Sequence, residues 1–70
     1  VTFTTVKTTR TMLQVYDASG REVATLFNRT ADAGMEYRLN FDGSSMPNGM
    51  YIYRLTTEDE VIIRKFMIAR

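Results

Sequence analysis

Apolar and polar residues alternate along most of this chain with the period of two that a half-buried strand requires. The clearest stretch is 13–26, in which two alternating runs flank Asp17-Ala18-Ser19-Gly20 and predict a β-hairpin. Leu13 and Val15 share one face of the first run, and Met12, Gln14 and Tyr16 share the other. Asp17 and Ser19 carry oxygens suited to bonding nearby backbone amides, and Gly20 takes a positive φ at little steric cost.

The rest of the chain repeats this grammar. Residues 1–6 predict a strand with Val1 and Phe3 on one face, and the polar residues 7–10 predict a turn. The hairpin strands are expected over 11–16 and 21–28, followed by a polar loop over 29–34 that ends on Gly34. Residues 35–41 alternate, with Tyr37, Leu39 and Phe41 facing one way and Arg38 and Asn40 the other. Residues 42–49 are the richest turn segment and hold the only proline; Asp42-Gly43-Ser44 has the form of an Asx turn. Over 50–56, Tyr51, Tyr53 and Leu55 alternate against Ile52 and Arg54. A polar turn at 57–60 leads to a last strand, 61–68, that is apolar on both faces: Val61, Ile63 and Met67 on one, Ile62, Phe66 and Ile68 on the other. That pattern predicts a strand buried on both sides, or one that meets a partner. No helical period is sustained, and turn signals recur about every 8 to 12 residues. The expected architecture is all-β, an immunoglobulin-like antiparallel β-sandwich of six or seven short strands.

Seventy residues make one domain, with a thin stability margin at this size. Nine Lys and Arg against eight Asp and Glu give no case for nucleic acid or an anionic membrane. Without cysteine there is no disulfide, and without histidine as well the usual transition-metal ligands and catalytic bases are missing. Asp32, Glu36, Asp42, Glu58, Asp59 and Glu60 all sit in or beside polar turns, where solvated charge is the default. Arg21 and Glu22 read as a solvated pair worth under about 1 kcal/mol. The serines have no partner base, the glycines form no phosphate-cradling cluster, and the alternating tyrosines suit packing better than ligand stacking. No apolar run approaches the roughly 20 residues of a spanning helix. We therefore expect no enzyme, no cofactor and no metal.

The run 13–26 resembles the central hairpin of the type IX secretion C-terminal sorting domain of Bacteroidota. Ala33-Gly34, then Phe41-Asp42-Gly43-Ser44, then Met46-Pro47-Asn48-Gly49-Met50-Tyr51-Ile52-Tyr53-Arg54-Leu55 are similar to that family's later motifs in order and spacing. The ending Arg64-Lys65-Phe66-Met67-Ile68-Ala69-Arg70 resembles its terminal strand. The immunoglobulin-like domain of the flagellar hook-capping protein shares much of this grammar. Its modules usually carry tryptophan where this chain has Phe41, and residues 1–11 match little of the sorting family's usual first strand.

The sorting-domain resemblance implies that residues 1–70 form a single C-terminal sorting domain, cut from a larger secreted cargo protein. It implies a non-catalytic secretion signal that takes its N-terminal cargo from the periplasm across the outer membrane. There a surface sortase would remove it, leaving the cargo anchored to lipopolysaccharide or released at the cell surface. By the same resemblance, recognition by the secretion machinery falls on Gly49, Tyr51, Lys65, Phe66, Met67, Ile68, Ala69 and Arg70. Asp17, Gly20, Gly34, Asp42 and Gly43 are expected to be structural turns. Lys65 shares a face with Val61, Ile63 and Met67, where a charge needs solvent or a partner. The alternative is a structural or adhesive immunoglobulin-like module of a secreted or surface protein. A thin core with two sheet edges also predicts a strand-swapped homodimer at high concentration.

Overall fold

The computed structural model describes residues 1–69. Six strands follow in chain order: β1 (Thr2–Thr4), β2 (Thr9–Asp17), β3 (Glu22–Ala31), β4 (Glu36–Arg38), β5 (Gly49–Thr56) and β6 (Val61–Ile68). No helix occurs among the described residues. The strands form a four-stranded sheet in the order β3-β2-β5-β6 and a two-stranded sheet β1-β4, all antiparallel. The expected immunoglobulin-like sandwich is the observed fold.

The β2–β3 hairpin is built on the Asp17 side chain. Its Oδ1 accepts the backbone N–H groups of Ser19 and Arg21, each at 3.0 Å, and the Ser19 hydroxyl at 2.7 Å. Gly20 closes the turn with a φ of 89° and donates its N–H to the Asp17 carbonyl. The Arg21 guanidinium turns back to Asp17 at 3.3 Å instead of meeting Glu22. Glu22 accepts from Gln14 Nε2 at 2.7 Å and from Thr25 Oγ1 at 2.8 Å. The expected Arg21–Glu22 pair is therefore not formed: Arg21 closes the turn onto Asp17, while Glu22 is taken up by Gln14 and Thr25.

Both strands run further than their apolar pattern indicates. β2 begins at Thr9, inside the expected 7–10 turn, because Glu58 satisfies the start of the strand. The Glu58 carboxylate accepts from Thr9 Oγ1 at 3.1 Å and from the Arg10 backbone at 3.2 Å. β3 continues to Ala31 through residues expected to loop, pairing Thr30 with Arg10 and Ala31 with Thr9. Arg29 remains compatible with the inner face because its guanidinium lies over the Phe27 ring at 4.7 Å and the Tyr37 ring at 5.2 Å. Register shifts between Leu13 and Gln14 and between Val15 and Tyr16 leave Leu26 and Val23 unpaired on β3. Such bulges bend the sheet over its core. Conversely, β4 holds three residues of the seven expected over 35–41, and residues 39–48 cross the sandwich as irregular chain.

Two aromatic clusters fill the interior. Under β1 and β4, Phe3, Phe27 and Tyr37 meet with centroids 4.9–5.3 Å apart. Under the 39–48 segment, Phe66 stacks on Tyr53 at 4.2 Å and Tyr51 at 5.6 Å, with Phe41 edge-on at 5.9 Å. Leu13 and Val15 of β2 lie between the two and are fully buried.

β6 corrects the expectation of burial on both sides. It is an edge strand paired only to β5, with Ile62, Phe66 and Ile68 half-buried and the opposite face open to solvent.

Asp17 carries the first prediction. The Ser19 hydroxyl and the Arg21 and Ser19 amides hold its carboxyl below the ordinary 3.8. A carboxylate with a depressed folded-state pKa contributes stability above the unfolded value and loses it as pH falls through the folded value. Asp17→Asn should therefore lower the urea midpoint at neutral pH, and the gap to the wild type should close in acid well below 3.8. A pH-independent gap would show that the charge is not the cause.

Candidate recognition surface

Strand geometry sorts the sequence-predicted recognition residues onto two faces of the four-stranded sheet. Along β6, Val61, Ile63, Lys65 and Met67 project outward while Ile62, Arg64, Phe66 and Ile68 project toward the other sheet. The β5 register places Met50 opposite Met67, Ile52 opposite Lys65, Arg54 opposite Ile63 and Thr56 opposite Val61. The outer face continues onto β2 through Tyr16, beside Ile52, and Gln14, beside Arg54.

The outer face has an unusual balance. Val61, Ile63 and Met67 are 52%, 53% and 61% exposed, and Met50 is exposed beside them. These four are a majority of the seven large hydrophobics left open to water, so the exposed apolar surface is concentrated here. Lys65 stands in the middle of the row, exposed, and Arg54 lies with its guanidinium 6.0 Å from the Tyr16 ring. Among the described residues the ion pairs are Lys7–Asp59, Arg21–Asp17 and Arg38–Glu36, so neither cation is matched by a carboxylate. The surface is thus apolar with two unpaired positive charges.

Tyr51 and Phe66, by contrast, face inward. Tyr51 is 4% exposed and its hydroxyl donates to the Pro47 carbonyl at 2.7 Å, which ties the 42–49 turn to the start of β5. Gly49 begins that strand with a φ of 153°, a conformation side-chain-bearing residues rarely adopt, and pairs with Ile68. Ile68 packs its terminal methyl toward Gly43, where an added Cβ would come within 2.9 Å. Asp42 accepts the Ser44 N–H at 2.9 Å in the expected Asx turn, and Gly34 turns the chain with a φ of 74°. Ala69 is exposed beyond the strand end, and Arg70 lies outside the described residues. The predicted set is therefore divided: Lys65 and Met67 present themselves, whereas Gly49, Tyr51, Phe66 and Ile68 shape what is presented. Sequence reasoning missed Met50, Ile52 and Arg54, which the period-two pattern places on the Lys65 side only once β5 and β6 are known to pair.

Among the described residues no group of acidic side chains converges as a metal site. The fold and this surface define a small all-β module whose exposed chemistry suits docking. The family model for the secretion system C-terminal sorting domain matches residues 1–69, and the chain belongs to that family. It is a type IX secretion sorting signal, in a family that is in general non-catalytic, that acts with the type IX machinery on an attached cargo bound for the cell surface or beyond. Neither the curated proteins nor the solved structures provide a match.

Substitution should separate the two faces. Tyr51→Phe removes a buried hydrogen bond and should cost about 1 kcal/mol of unfolding free energy. Lys65→Ala should change it by less than about 0.5 kcal/mol. Equal losses in denaturant titrations would contradict the division.

Proposed function

We propose that the type IX machinery reads this domain as a folded surface, centred on Lys65 and bounded by Ile63, Met67 and Met50. The observation that carries the reading is the concentration of exposed apolar side chains around an unmatched cation on β5 and β6. Gly49, Tyr51, Phe66 and Ile68 act indirectly, by fixing the strand pair that displays the row, and Ala69 and Arg70 are kept as further recognition residues on the family resemblance alone. In this reading residues 1–70 are one sorting domain carried behind an N-terminal cargo. The signal passes through the periplasm, crosses the outer membrane with the cargo, and is removed by a surface sortase-like protease. The cargo is then joined to lipopolysaccharide or released.

The test is a transplant of residues 1–70 onto the C-terminus of a fluorescent protein with a signal peptide. Expression in a host with an intact type IX system should give surface or medium fluorescence that a host lacking the system does not show. The triple variant Ile63→Ser, Lys65→Glu, Met67→Ser, checked for folding by circular dichroism, should drop secretion to the level of the deficient host. Undiminished secretion of the folded variant would remove the outer face from the reading. Periplasmic retention of the parent fusion in both hosts would instead favour a structural or adhesive module.

The same reading includes a second copy as a partner, by exchange of a terminal strand. β3 and β6 are the open edges of the large sheet, and swapping covers such edges with contacts already encoded. Sedimentation over a wide concentration range should show a dimer at the high end, and a monomer throughout would count against exchange.

A further inference from the structure

The two sheets of the sandwich are unequal, and the difference leaves a trough. β1 and β4 cover the inner face of β3 and β2, as the Phe3–Phe27 and Tyr37–Phe27 contacts show. The 39–48 segment covers Phe66 through Phe41. Between these covers lies an open trough of about 290 Å3, lined by β1 along one wall and floored by Leu13, Tyr53, Leu55 and Ile62, with Arg64 at its rim. Its volume far exceeds the roughly 30 Å3 of a single water.

The wall of this trough is a sheet edge. Val1 and Leu39 exchange both backbone hydrogen bonds at 2.8 Å, so they form a hydrogen-bonded antiparallel pair. Alternation along the ladder makes Phe3–Tyr37 the next such pair and turns the N–H and C=O groups of Thr2 and Thr4 away from β4. No strand pairs with that side of β1 among the described residues. Both threonines are exposed. An unfilled edge thus stands directly above an apolar floor, the arrangement by which sheets accept an added strand. Three residues are too short to template open-ended association, yet long enough to seat a short segment.

Charge selects the occupant. Among the described residues Arg64 carries no carboxylate partner, and its guanidinium donates from Nη1 to the carbonyl of Ile63. We propose that the β1 edge is a second docking site, separate from the outer face of β5 and β6. Its occupant is an extended segment of another protein, with apolar residues at alternate positions and a carboxylate reaching Arg64. The backbone of that segment pairs with Thr2 and Thr4, and its inward side chains rest on Tyr53, Leu55 and Ile62. The site stands independently of the sorting surface, because it lies on the opposite side of the four-stranded sheet.

The test uses the isolated chain and a blocked peptide of alternating threonine and valine that ends in glutamate. Binding should protect the Thr2 and Thr4 amides from hydrogen exchange and leave those of the β6 edge unchanged. Thr4→Pro deletes an outward N–H, a substitution edge strands accommodate, and should weaken binding about five- to tenfold. Arg64→Glu should reverse the preference toward a peptide ending in lysine, a readout that a loss of folding does not produce. Protection at β6 instead of β1, or binding indifferent to Arg64, would overturn the assignment. So would self-association of the chain that Thr4→Pro abolishes, since the occupant would then be a second copy. Secretion of the fluorescent fusion carrying Thr4→Pro should be unaffected, which keeps this outcome distinct from failure of the sorting reading.

Discussion

A four-stranded sheet covered by only two short strands is the constraint on which the rest of this structure depends. With so little second sheet, few side chains are fully buried, among them Leu13, Val15, Thr11 and Ala31. The flanks are closed by aromatic rings, which cover large areas with few residues. Phe3, Phe27 and Tyr37 close one flank, and Phe41, Tyr51, Tyr53 and Phe66 the other. The irregular 39–48 segment substitutes for a missing strand, and Pro47 and Asp42 give it fixed turns in place of ladder hydrogen bonds. Where neither strand nor ring reaches, a trough is left.

The same economy explains which elements the sequence displays openly. The β2–β3 hairpin, β5 and β6 are written in local terms, by alternation and by turn residues at fixed offsets. Their positions follow from the chain alone. The ends of β2 and β3 are not, because Thr9 and Arg29 are polar residues whose partners, Glu58 for one and the rings of Phe27 and Tyr37 for the other, the alternation does not reveal. The bulges at Leu26 and Val23 are equally hidden: an unpaired residue carries no composition signal of its own when its neighbours are ordinary strand formers.

β6 shows where the limit lies for the recognition surface. Alternation states which of its residues share a face, and that reading of Lys65 with Val61, Ile63 and Met67 agrees with the structure. Alternation does not state which face is covered. Both faces of β6 are apolar, so burial on both sides was the natural expectation, yet topology places the strand at an edge with one face in water. The cross-strand rows through Met50, Ile52 and Arg54 depend on the β5 register, which the sequence does not print.

That dependence bears on what kind of address this domain presents. Positions 61, 63, 65 and 67 fall on one line only when the chain is extended, and they gain Met50 and Ile52 as neighbours only when β5 is paired in register. On the inner side of that pair, the Tyr51 hydroxyl anchors the preceding turn while its ring stacks on Phe66, its cross-strand partner. An unfolded chain carries the same residues without the row they form. Apolar side chains at an open sheet edge also invite unwanted pairing, and a charge placed among them is the usual defence. On the reading proposed above, Lys65 meets both demands from one position: it would discourage a strand from adding to the edge and supply a polar landmark in an otherwise apolar face. Any partner that reads this surface therefore reads it after folding, and discriminates a completed domain from a partial one.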